Sequence, residues 1–558
     1  MSRAGYPRAP MVAWYQPGQL VRTGVSILTS TMFGRRSDSR LVEALHAEPI
    51  EVFDYSVTAA NEPRRELWLD YVADTGDGFD STYAVASAVV SDPLVLHDSK
   101  HTPHHTRRGR ILVFGGDLVY PVASRGQYEQ RLVMPYEAAL PSSTAPHPDV
   151  YAVPGNHDWY DSLAAFARRF CSRRWFAGWR TRQRVSYFAL QLPGDWWLLG
   201  TDIQLDSDID ADQVTYFKAV AALMTDRSRI ILCNAEPSWI YQQKYAGLER
   251  PDAESNLRFL EDRVFGHKIA VVIAGDLHHY RRHSDGHGHH KIVAGGGGAF
   301  LHPTHDVDVT TLPGATPAQR YTLQASYPEI ATSRGLTKRN FLFPLLSWRL
   351  GLVIGLLYLM TCRAMQVKLG GLGLGNIGHA ADLVLCATLS GPTTLLWVAL
   401  VVTVVVGFAD PSSRWFRVVG GSLHAAAHLV AAFFIGWAAV WTVAHWELPL
   451  ALALLTIGAL VMFGGWLVGS LVLGAYLFVS LNWFGRHSNE AFSALAIPDW
   501  KNFLRLHIDV HGTLRIYPIG IDRVPRRWRT QGVGSRLVAD DRDATAPRLI
   551  EDPIVVGR

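Results

Sequence analysis

Cysteine is scarce in this sequence, and the cysteines that are present form no framework. Among 558 residues there are four, Cys171, Cys233, Cys362 and Cys386, without a CxxC pair. Such spacing disfavours a disulfide scaffold and is typical of free thiols in a reducing compartment.

The sequence also lacks an apolar run near its start and a strong excess of charge. The segment MSRAGYPRAPMVAWYQPGQLV is too polar for a signal peptide, which predicts that the domain after it stays in the cytoplasm. The formal net charge is only +4, with 53 Lys and Arg against 49 Asp and Glu, so no nucleic-acid-binding surface is predicted.

Charge is nearly absent between Phe341 and Phe484, where Leu, Val, Ala, Gly and Trp dominate. A span needs roughly 20 apolar residues to cross ~30 Å of hydrocarbon. Four segments reach that length, at about 341–361, 383–408, 418–443 and 449–483. The fourth is either one long tilted helix or two helices that break near Gly464 and Gly465. Most flanking Lys and Arg share one side if there are four spans, which predicts that both ends are cytoplasmic.

Polar side chains interrupt this apolar region at Arg349 and at the pair His424 and His428. Histidines four residues apart share one helix face and could bind a metal or relay protons. Polar packing between spans is the simpler interpretation, and the arginine can extend its charge to the membrane surface.

The chain is longer than one hydrophobic core usually supports, so several domains are predicted. Changes in composition place an N-terminal cap in residues 1–60, with an amphipathic stretch from Leu20 to Leu45, an α/β domain in 61–335 and a membrane region in 336–485. Residues 486–530 alternate like strands around a His-Gly turn, which predicts a hairpin that packs on the cytoplasmic domain. Residues 531–558 are predicted to be disordered.

Short apolar runs between Trp68 and Ala299 each end in Gly, Asp, Asn or His, as in RILVFGGD, DVYAVPGNHD and KIAVVIAGDLHH. Such runs are typical of buried strands, and an α/β sheet places its functional side chains at the carboxyl ends of its strands. The candidates at these ends are Asp74, Asp117, Tyr120, Asn156, His157, Asp158, Asp276 and His278.

This set of oxygen and nitrogen groups suits a pair of metal ions that hydrolyses phosphate esters. Two ions about 3.5–4 Å apart lower the pKa of a bound water and neutralise the charge that develops on phosphate. Such a site needs a bridging carboxylate, further oxygen and nitrogen ligands and open coordination positions. One Gly-Asp at a strand end is common in turns, but the four motifs in this order would rarely arise by chance.

The motifs resemble those of the calcineurin-like metallophosphoesterase superfamily over about residues 66–305. This chain has DTG at 74–76, GDLVY at 116–120 and GNHD at 155–158, where the family has DxH or DxG, GDxxD or GDxxY, and GNH before an acid. DxG paired with GDxxY is similar to the purple acid phosphatase branch, in which the tyrosine is a ligand of a ferric ion. The resemblance implies a four-layer α/β/β/α sandwich with two mixed β-sheets, here followed by an α-helical transmembrane bundle and a small β-hairpin tail.

Two motifs depart from the family pattern. Where the family has a strand ending in His-x-Pro, this chain has Asn-Ala-Glu-Pro, so Ala235 falls at the ligand position and either Glu236 or Asn234 would replace it. Glu236 is the stronger oxygen donor. Where the family has GHxH, this chain has GDLH, with Asp276 in place of the first histidine. Both changes enrich one metal position in carboxylate, which favours Mn²⁺ or Mg²⁺ over Zn²⁺, or else only one metal binds tightly.

Carried over motif by motif, the resemblance implies two divalent or mixed-valence metal ions, with Mn, Fe, Mg and Zn as candidates, bridged by Asp117. The remaining ligands would be Asp74, Tyr120 and His278 for one ion, and Asn156, Asp276 and Glu236 for the other. His157 would not bind metal but would protonate the leaving-group oxygen, oriented by Asp158.

Further histidines surround the last motif, and loop histidines are usually just solvated. The candidates for substrate contact among them are His279, His302 and His305. The segment GGGGAFLHPTH at 295–305 is either a turn that lets the backbone approach a ligand or a flexible link. The pair Arg281 and Arg282 is more typical of surface charge than of a phosphate clamp.

The sequence therefore predicts a metal-dependent phosphoesterase that acts on phosphate mono- or diesters at the cytoplasmic face of a bacterial-type membrane. Its partners would be membrane lipids and a phosphate-ester substrate, with a lipid phosphate and a nucleotide both open. The alternative is a catalytically degenerate membrane sensor or scaffold, suggested by the two altered motifs. The retained Asp117, Asn156 and His157 favour the enzyme.

Overall fold

The computed structural model describes residues 8–29, 51–140, 147–203, 208–244, 255–305, 309–314, 319–366, 377–409, 413–531, 536–540 and 545–557. The chain divides into two compact units. The α/β unit consists of Met1–Val12, Arg22–Thr332 and Ala496–Arg558, and the helical unit consists of Ala13–Val21 and Ser333–Leu495. The amphipathic stretch predicted from Leu20 to Leu45 begins inside a helix at Pro17–Thr29, and the rest of it lies outside the described residues.

The central strands of the α/β unit coincide with apolar runs of the sequence, because Val, Ile, Leu and aromatic side chains pack well on a pleated, buried surface. In chain order they are β1 (Val52–Asp54), β2 (Leu67–Val72), β3 (Leu94–His97), β4 (Pro103–Thr106), β5 (Ile111–Gly115), β6 (Asp149–Val153), β7 (Trp175–Phe176), β8 (Trp179–Thr181), β9 (Phe188–Gln191), β10 (Trp196–Gly200), β11 (Arg229–Asn234), β12 (Ile269–Ala274), β13 (Tyr280–Ser284), β14 (His290–Ala294), β15 (Thr311–Pro313), β16 (Arg320–Tyr327), β17 (Lys501–Ile508), β18 (Leu514–Ile521), β19 (Trp528–Gln531), β20 (Arg536–Ala539), β21 (Arg548–Leu549) and β22 (Ile554–Val556).

Two large mixed sheets organise these strands. The first has the order β1-β9-β10-β11-β12-β14-β13-β16-β15, and the second has the order β21-β18-β17-β2-β5-β6-β8-β7, with β22 also paired to β18. The centre of each sheet is parallel, through β10, β11 and β12 in the first and through β2, β5 and β6 in the second. The carboxyl ends of neighbouring parallel strands meet at one edge, which is where an α/β sheet places a site.

Helices of the α/β unit lie between the strands. They are Phe79–Val89, Arg125–Gln127, Met134–Ala139, Asn156–Trp159, Ala164–Phe170, Ala211–Ala221, Ser238–Lys244 and Ser255–Phe259, with π-helical segments at Tyr128–Val133 and Leu260–Phe265 and 3₁₀ turns at Pro193–Asp195 and Gly266–Lys268. The helix from Ala211 begins with Asp210 as its cap, and the buried Gln213 side chain bonds both the N–H and the C=O of Asp202. That pair of bonds fixes the turn that follows β10.

Three apolar clusters form the core of this unit. One contains side chains of both sheets, such as Leu69 and Val113 of the second and Ile231 and Ile273 of the first. A second cluster joins the second sheet to the helices at 79–89, 134–139 and 164–170. The third joins the first sheet to the helices at 211–221, 238–244 and 255–259.

The C-terminal strands are members of the second sheet. Strand β17 pairs antiparallel with β2 from Leu504 opposite Tyr71 to Ile508 opposite Leu67, and with β18 on its other side. The tail predicted as disordered also contains strands β20, β21 and β22, and the last two pair with β18. The expectation failed for these residues because three buried side chains, Leu549, Ile554 and Val556, are enough to hold a short edge strand in place. Residues 532–535 and 541–544 of that tail lie outside the described residues.

The helical unit corresponds to the apolar region of the sequence. Its helices are Phe343–Leu346, Trp348–Gln366, Ile377–Ser390, Pro392–Phe408, Arg414–Ala444, Leu450–Gly464, Ser470–Phe484 and Ser488–Ser493, with a 3₁₀ turn at Lys338–Leu342 and a π-helical segment at Gly465–Gly469; the helix Ile330–Thr337 leads into it. Within the described residues three helices are long and apolar enough to cross a membrane, Trp348–Met365, Arg414–Ala444 and Leu450–Phe484, as in a membrane protein.

The second of the four expected spans differs from its prediction, and the structure decides between the two alternatives for the fourth. The span expected at 383–408 is a pair of helices bent by 97° between Ser390 and Pro392, since proline lacks an N–H and disfavours helical geometry in the residue before it. The long fourth segment is one helix, Leu450–Phe484, that continues through Gly464 and Gly465 by way of a π-helical segment.

Candidate functional site

Three aspartates follow the carboxyl ends of central strands in a left-handed backbone conformation. Asp74 follows β2, Asp117 follows β5 and Asp276 follows β12, with φ of 55°, 48° and 68°. Aspartate is one of the few residues with a side chain that adopts this conformation at modest cost. The sharp turn directs each chain away from its strand, so the three residues lie at adjoining strand ends of the two sheets.

The hydroxyl of Tyr120 lies at the centre of a buried polar cluster. It is 3.1 Å from Oδ1 of Asp74, 3.2 Å from Oδ2 of Asp117 and 2.9 Å from Nε2 of His278. The same Nε2 is 3.8 Å from Oδ1 of Asp74, and all four residues are buried. Four of the predicted metal ligands therefore converge on one point.

His278 is held in the orientation that a metal ligand needs. Its Nδ1–H donates to the carbonyl of Phe300 at 2.7 Å, which fixes the tautomer and leaves the lone pair of Nε2 directed toward Tyr120. Metal-binding histidines are oriented in the same way, by a hydrogen bond from the nitrogen that does not bind the ion.

Two glycines allow the backbone to approach the carboxylates. A Cβ on Gly155, in the GNHD motif, would lie 2.2 Å from Oδ1 of Asp117, and a Cβ on Gly295 would lie 2.3 Å from Oδ2 of Asp74. The segment after Gly295 also bonds the strand end directly, since the N–H of Ala299 donates to the carbonyl of Asp74 at 2.9 Å. The glycine-rich segment is therefore packed against the strand end at Asp74 and is not merely a flexible link, while its approach to a ligand stays a prediction.

Asp276 joins the cluster through its backbone and its charge. Its N–H donates to Oδ2 of Asp74 at 2.7 Å, and its carboxylate accepts from the hydroxyl of Tyr241, a residue of the helix Ser238–Lys244. The contact to Tyr241 could not be predicted, because the helix carries no motif and the two residues are 35 positions apart.

The cluster is electrostatically suited to a cation. Burial raises the pKa of Asp74 and Asp117, and the negative charge of Asp276 raises both further. Burial also lowers the pKa of His278, which leaves a neutral imidazole able to donate its lone pair. A positive ion among these groups would relieve the carboxylate repulsion, so the donor set fits a metal. Within the described residues, however, no group of three or more His, Cys, Asp or Glu side chains is arranged to hold a metal ion. In this cluster the hydroxyl of Tyr120 lies between the carboxylates and the imidazole.

The GNHD motif begins the short helix Asn156–Trp159, with Asn156 exposed. The N–H of His157 donates to Oδ1 of Asp117 at 2.8 Å, and its Nδ1–H donates to the carbonyl of Pro121 at 2.7 Å. Burial lowers the pKa of the His157 imidazole to about 4.

Asp158 has a different contact from the one expected. Its carboxylate accepts from the N–H groups of Gly155 and Leu118 and from the hydroxyl of Tyr128. The expected orientation of His157 by Asp158 is therefore replaced by the Pro121 carbonyl. The hydrogen bonds of Asp158 instead join the turn after β6, at Gly155, to the turn after β5, at Leu118. The helical turn directs the Asp158 side chain back toward these two N–H groups.

The altered fourth motif follows β11. Ala235 is buried, and its Cβ lies 3.0 Å from the point where a Cβ on Gly116 would be, so a methyl group occupies the place expected for a histidine. Asn234 accepts a hydrogen bond at 2.7 Å from the hydroxyl of Thr201, which uses its oxygen. Glu236 is half-buried on the turn and remains the candidate carboxylate of this motif.

The other histidines differ in their distance from the cluster. The ring of His302 stacks on that of His278, with centroids 3.8 Å apart, which places it beside the cluster. His279 is fully buried at the start of β13, and His305 is half-buried. The surface-charge interpretation of Arg281 and Arg282 is wrong, because Arg281 is buried and the guanidinium of Arg282 pairs with the carboxylate of Glu551.

Lys501 is a buried residue beside the cluster that no sequence motif indicates. It is fully buried at the start of β17 and donates to the carbonyl of Ala299, in the segment that borders the cluster. Burial lowers the pKa of Lys501 to about 8, against the charge of Asp77. The contact joins residues 202 positions apart, so no local pattern could have indicated it.

Comparisons with known proteins leave the family open. No family model matches the chain, and no curated protein matches its sequence. Solved structures that it resembles include GAP50, described as the anchor in the inner membrane complex of Plasmodium, at 10% identity and a TM-score of 0.30, over 46% of this chain and 78% of that one. Another is PhoD, at 10% identity and a TM-score of 0.28, over 44% of this chain and 60% of that one.

Proposed function

We propose that this chain is a membrane-anchored, metal-dependent phosphoesterase of the calcineurin-like type. The observation that carries the proposal is the convergence of Asp74, Asp117, Tyr120 and His278 within hydrogen-bonding distance at the strand ends. Their burial and mutual repulsion make this a costly arrangement without a cation. Such cost is characteristic of functional sites.

The donor set divides into two groups around Asp117, which would bridge two ions. Asp74, Tyr120 and His278 would hold one ion, and Asn156, Asp276 and Glu236 would hold the other. Bound ions of this kind supply an activated water and neutralise the phosphate charge. The carboxylate at Glu236 and at Asp276 would favour Mn²⁺ or Mg²⁺ at the second position.

His157 would supply the proton to the leaving group, which requires the negative charge of a bound phosphate to raise the imidazole pKa again from its lowered value of about 4. Because Nδ1 is bonded to the carbonyl of Pro121, Nε2 is the nitrogen that can exchange a proton with a substrate oxygen. The bond from its N–H to Asp117 fixes the residue beside the proposed ions. Asp158 would act on the position of this turn rather than on the imidazole.

Hydrolysis of para-nitrophenyl phosphate and of its bis-ester tests the proposal. We expect turnover that depends on Mn²⁺, Mg²⁺, Fe or Zn²⁺ and that Asp117→Asn reduces by at least about 10³-fold, since metals contribute several kcal/mol to the transition state and about 1.4 kcal/mol is tenfold. Asp98→Asn, the same change on an exposed turn beyond β3, is the matched control and should retain full activity. Absence of turnover with every metal, from protein shown to be folded, would contradict the proposal.

Replacement of His157 is expected to affect substrates unequally. His157→Ala should slow hydrolysis of an alkyl phosphate by about 10²–10⁴-fold, the usual contribution of a general acid. It should slow hydrolysis of para-nitrophenyl phosphate much less, because nitrophenolate leaves without protonation. Rates of both substrates in wild type and variant give the ratio, and equal losses on both would show that His157 does not donate the proton.

A catalytically degenerate sensor is the second candidate, and one observation favours it. The buried methyl group of Ala235 stands where the family places an imidazole ligand. Metal content separates the two candidates, since the enzyme needs at least one tightly held ion and a sensor needs none. Mass spectrometry of metals in purified wild type and Asp117→Asn measures it.

Packing within the α/β unit supports a four-layer α/β/β/α sandwich. One apolar cluster is shared by the two sheets, and each sheet shares another with its own helices.

The points at which the chain leaves and re-enters the α/β unit support four crossings of the membrane. The chain leaves the α/β unit at Thr332 and returns to it at Ala496, so a soluble unit on one side requires an even number. With three long helices, the bent pair would be the fourth crossing, and a cytoplasmic location remains our proposal.

A further inference from the structure

A chain of polar contacts runs through the interior of the helical unit. The hydroxyl of Tyr358 is 2.8 Å from Nδ1 of His428, and Nε2 of His428 is 3.0 Å from Nε2 of His424. His424 also stacks on Tyr476 with ring centroids 3.9 Å apart. The two histidines thus have a fixed relation to each other and to their neighbours.

The chain ends on a nitrogen without a partner. Nδ1 of His424 is buried and makes no hydrogen bond to any described residue, and His424 is only 5% exposed. Buried polar groups are nearly always paired in proteins, so this nitrogen is available to pair with a group that none of the described residues supplies.

The direction of the hydrogen bonds identifies which atom carries the unused proton. If Tyr358 donates to Nδ1 of His428, then Nε2–H of His428 donates to Nε2 of His424, and His424 must carry its own proton on Nδ1. Only that N–H is then unused. In the reverse direction both the Tyr358 hydroxyl proton and the lone pair on Nδ1 of His424 would lack partners. The first arrangement leaves fewer groups unsatisfied and is therefore favoured.

His424, His428 and Tyr358 all line a cavity of about 650 Å³ within the helical unit. This volume lies in the range of small-molecule sites, about 300–1,000 Å³. Most of the lining is aliphatic or aromatic, from side chains such as Leu400 and Val401. Among the described residues that line it there is no Lys or Arg, and the one charged side chain is Glu490.

We propose that this cavity binds an uncharged membrane lipid, whose hydroxyl or ester oxygen accepts a hydrogen bond from Nδ1 of His424 and whose hydrocarbon chain fills the apolar part. The unused N–H requires an acceptor oxygen on the ligand. The described lining includes the acid Glu490 and no Lys or Arg, which disfavours a phosphate or carboxylate head group. The site is separate from the proposed metal centre and does not depend on its activity.

Photolabelling of the full-length protein in phosphatidylcholine nanodiscs tests the proposal. The probes are hexadecanol and hexadecane, each with a diazirine in the chain, and labelled peptides are identified by mass spectrometry. In wild type we expect the alcohol to label the helices Pro392–Phe408 and Arg414–Ala444 about three- to tenfold more than the alkane, the effect of one net hydrogen bond.

Three variants separate recognition from simple partitioning. His424→Phe keeps a ring against Tyr476 but removes the donor, so it should abolish the preference for the alcohol and leave alkane labelling unchanged. Val401→Trp fills the cavity and should reduce labelling by both probes at least fivefold. Leu396→Trp, on the same helix but 70% exposed and outside the cavity, is its matched control and should change neither.

The proposal is overturned by any of three results. Equal labelling by alcohol and alkane in wild type would show that Nδ1 recognises no ligand, as when only water pairs with it. Unchanged labelling in Val401→Trp would place the probes outside the cavity. Stronger labelling by a diazirine analogue of hexadecyl phosphate than by the alcohol would show that the site takes an anionic head group.

Discussion

A chain that ends after Leu495 is expected to lose the folded α/β unit, although the predicted metal ligands all precede that point. Strands β17 and β18 lie inside the second sheet. Their buried apolar side chains are Phe503, Leu504, Leu506, Ile508, Leu514, Ile516, Ile519 and Ile521. Burial of one such side chain contributes about 1.5–3 kcal/mol, so eight contribute about 12–24 kcal/mol. That is at least comparable to the roughly 5–15 kcal/mol that usually separates folded from unfolded domains.

Amide hydrogen exchange across β2 and β5 measures this loss, with protected amides in the full chain and rapid exchange in the truncated one. A matched pair of point variants checks the cause. Leu506→Asp places a charge in the core shared by both sheets and should reproduce the truncation. Val510→Asp, 60% exposed at the turn between β17 and β18, should not. Protected β2 amides in the truncated chain would show that the C-terminal strands are dispensable.

The class of fold was predictable because local patterns determine it. Apolar runs that end in Gly, Asp or Asn become buried strands, and the α/β class follows from them, whereas the two mixed sheets were implied only by the family resemblance. The long apolar helices were predictable for a similar reason, since apolar segments of this length can be identified without knowledge of what they pack against. Three helices of sufficient length are present where segments were expected.

The place of the C-terminal strands was not predictable from the sequence. Strand β17 pairs with β2, more than 400 residues away. The alternation of apolar and polar residues along β17 indicates only that one or both of its faces are buried. The apolar helices between Ser333 and Leu495 are therefore inserted in the chain of one α/β unit and do not form a separate C-terminal domain. The bend before Pro392 was missed because the apolar composition continues unchanged through it.

Much of the candidate site followed from motif order. Asp74, Asp117, Tyr120 and His278 meet because each follows a central strand of the sheets, and strand ends of this kind adjoin. Their role in metal binding stays a prediction. Contacts that depend on tertiary packing were not foreseen, such as Tyr241 on Asp276 or the Pro121 carbonyl on His157. A carbonyl group is present in every residue, so its use as a hydrogen-bond acceptor leaves no trace in the sequence.

Arg505→Met is expected to lower the free energy of unfolding of the α/β unit by about 3–5 kcal/mol, the usual cost of leaving one member of a buried ion pair alone. Nε of Arg505 is 2.7 Å from Oδ1 of Asp70, and both residues are buried between β17 and β2. The guanidinium also donates to the carbonyl of Val89 at 2.6 Å and to the hydroxyl of Thr106 at 3.1 Å, so it links the C-terminal strand to the first half of the unit.

The double variant Asp70→Leu with Arg505→Met separates the charge from the packing. Removing both charges leaves no unpaired ion, so its loss of stability should be smaller than the sum of the two single losses. Urea-induced unfolding of the three variants, followed by tryptophan fluorescence, gives the comparison, and Arg515→Met on the more exposed face of β18 is the control. Additive losses would show that the pair acts through its separate backbone and hydroxyl contacts. A coupled loss would mean that β17 is joined electrostatically to β2, the strand that Asp74 follows. The C-terminal strands would then be a condition for assembling the candidate site.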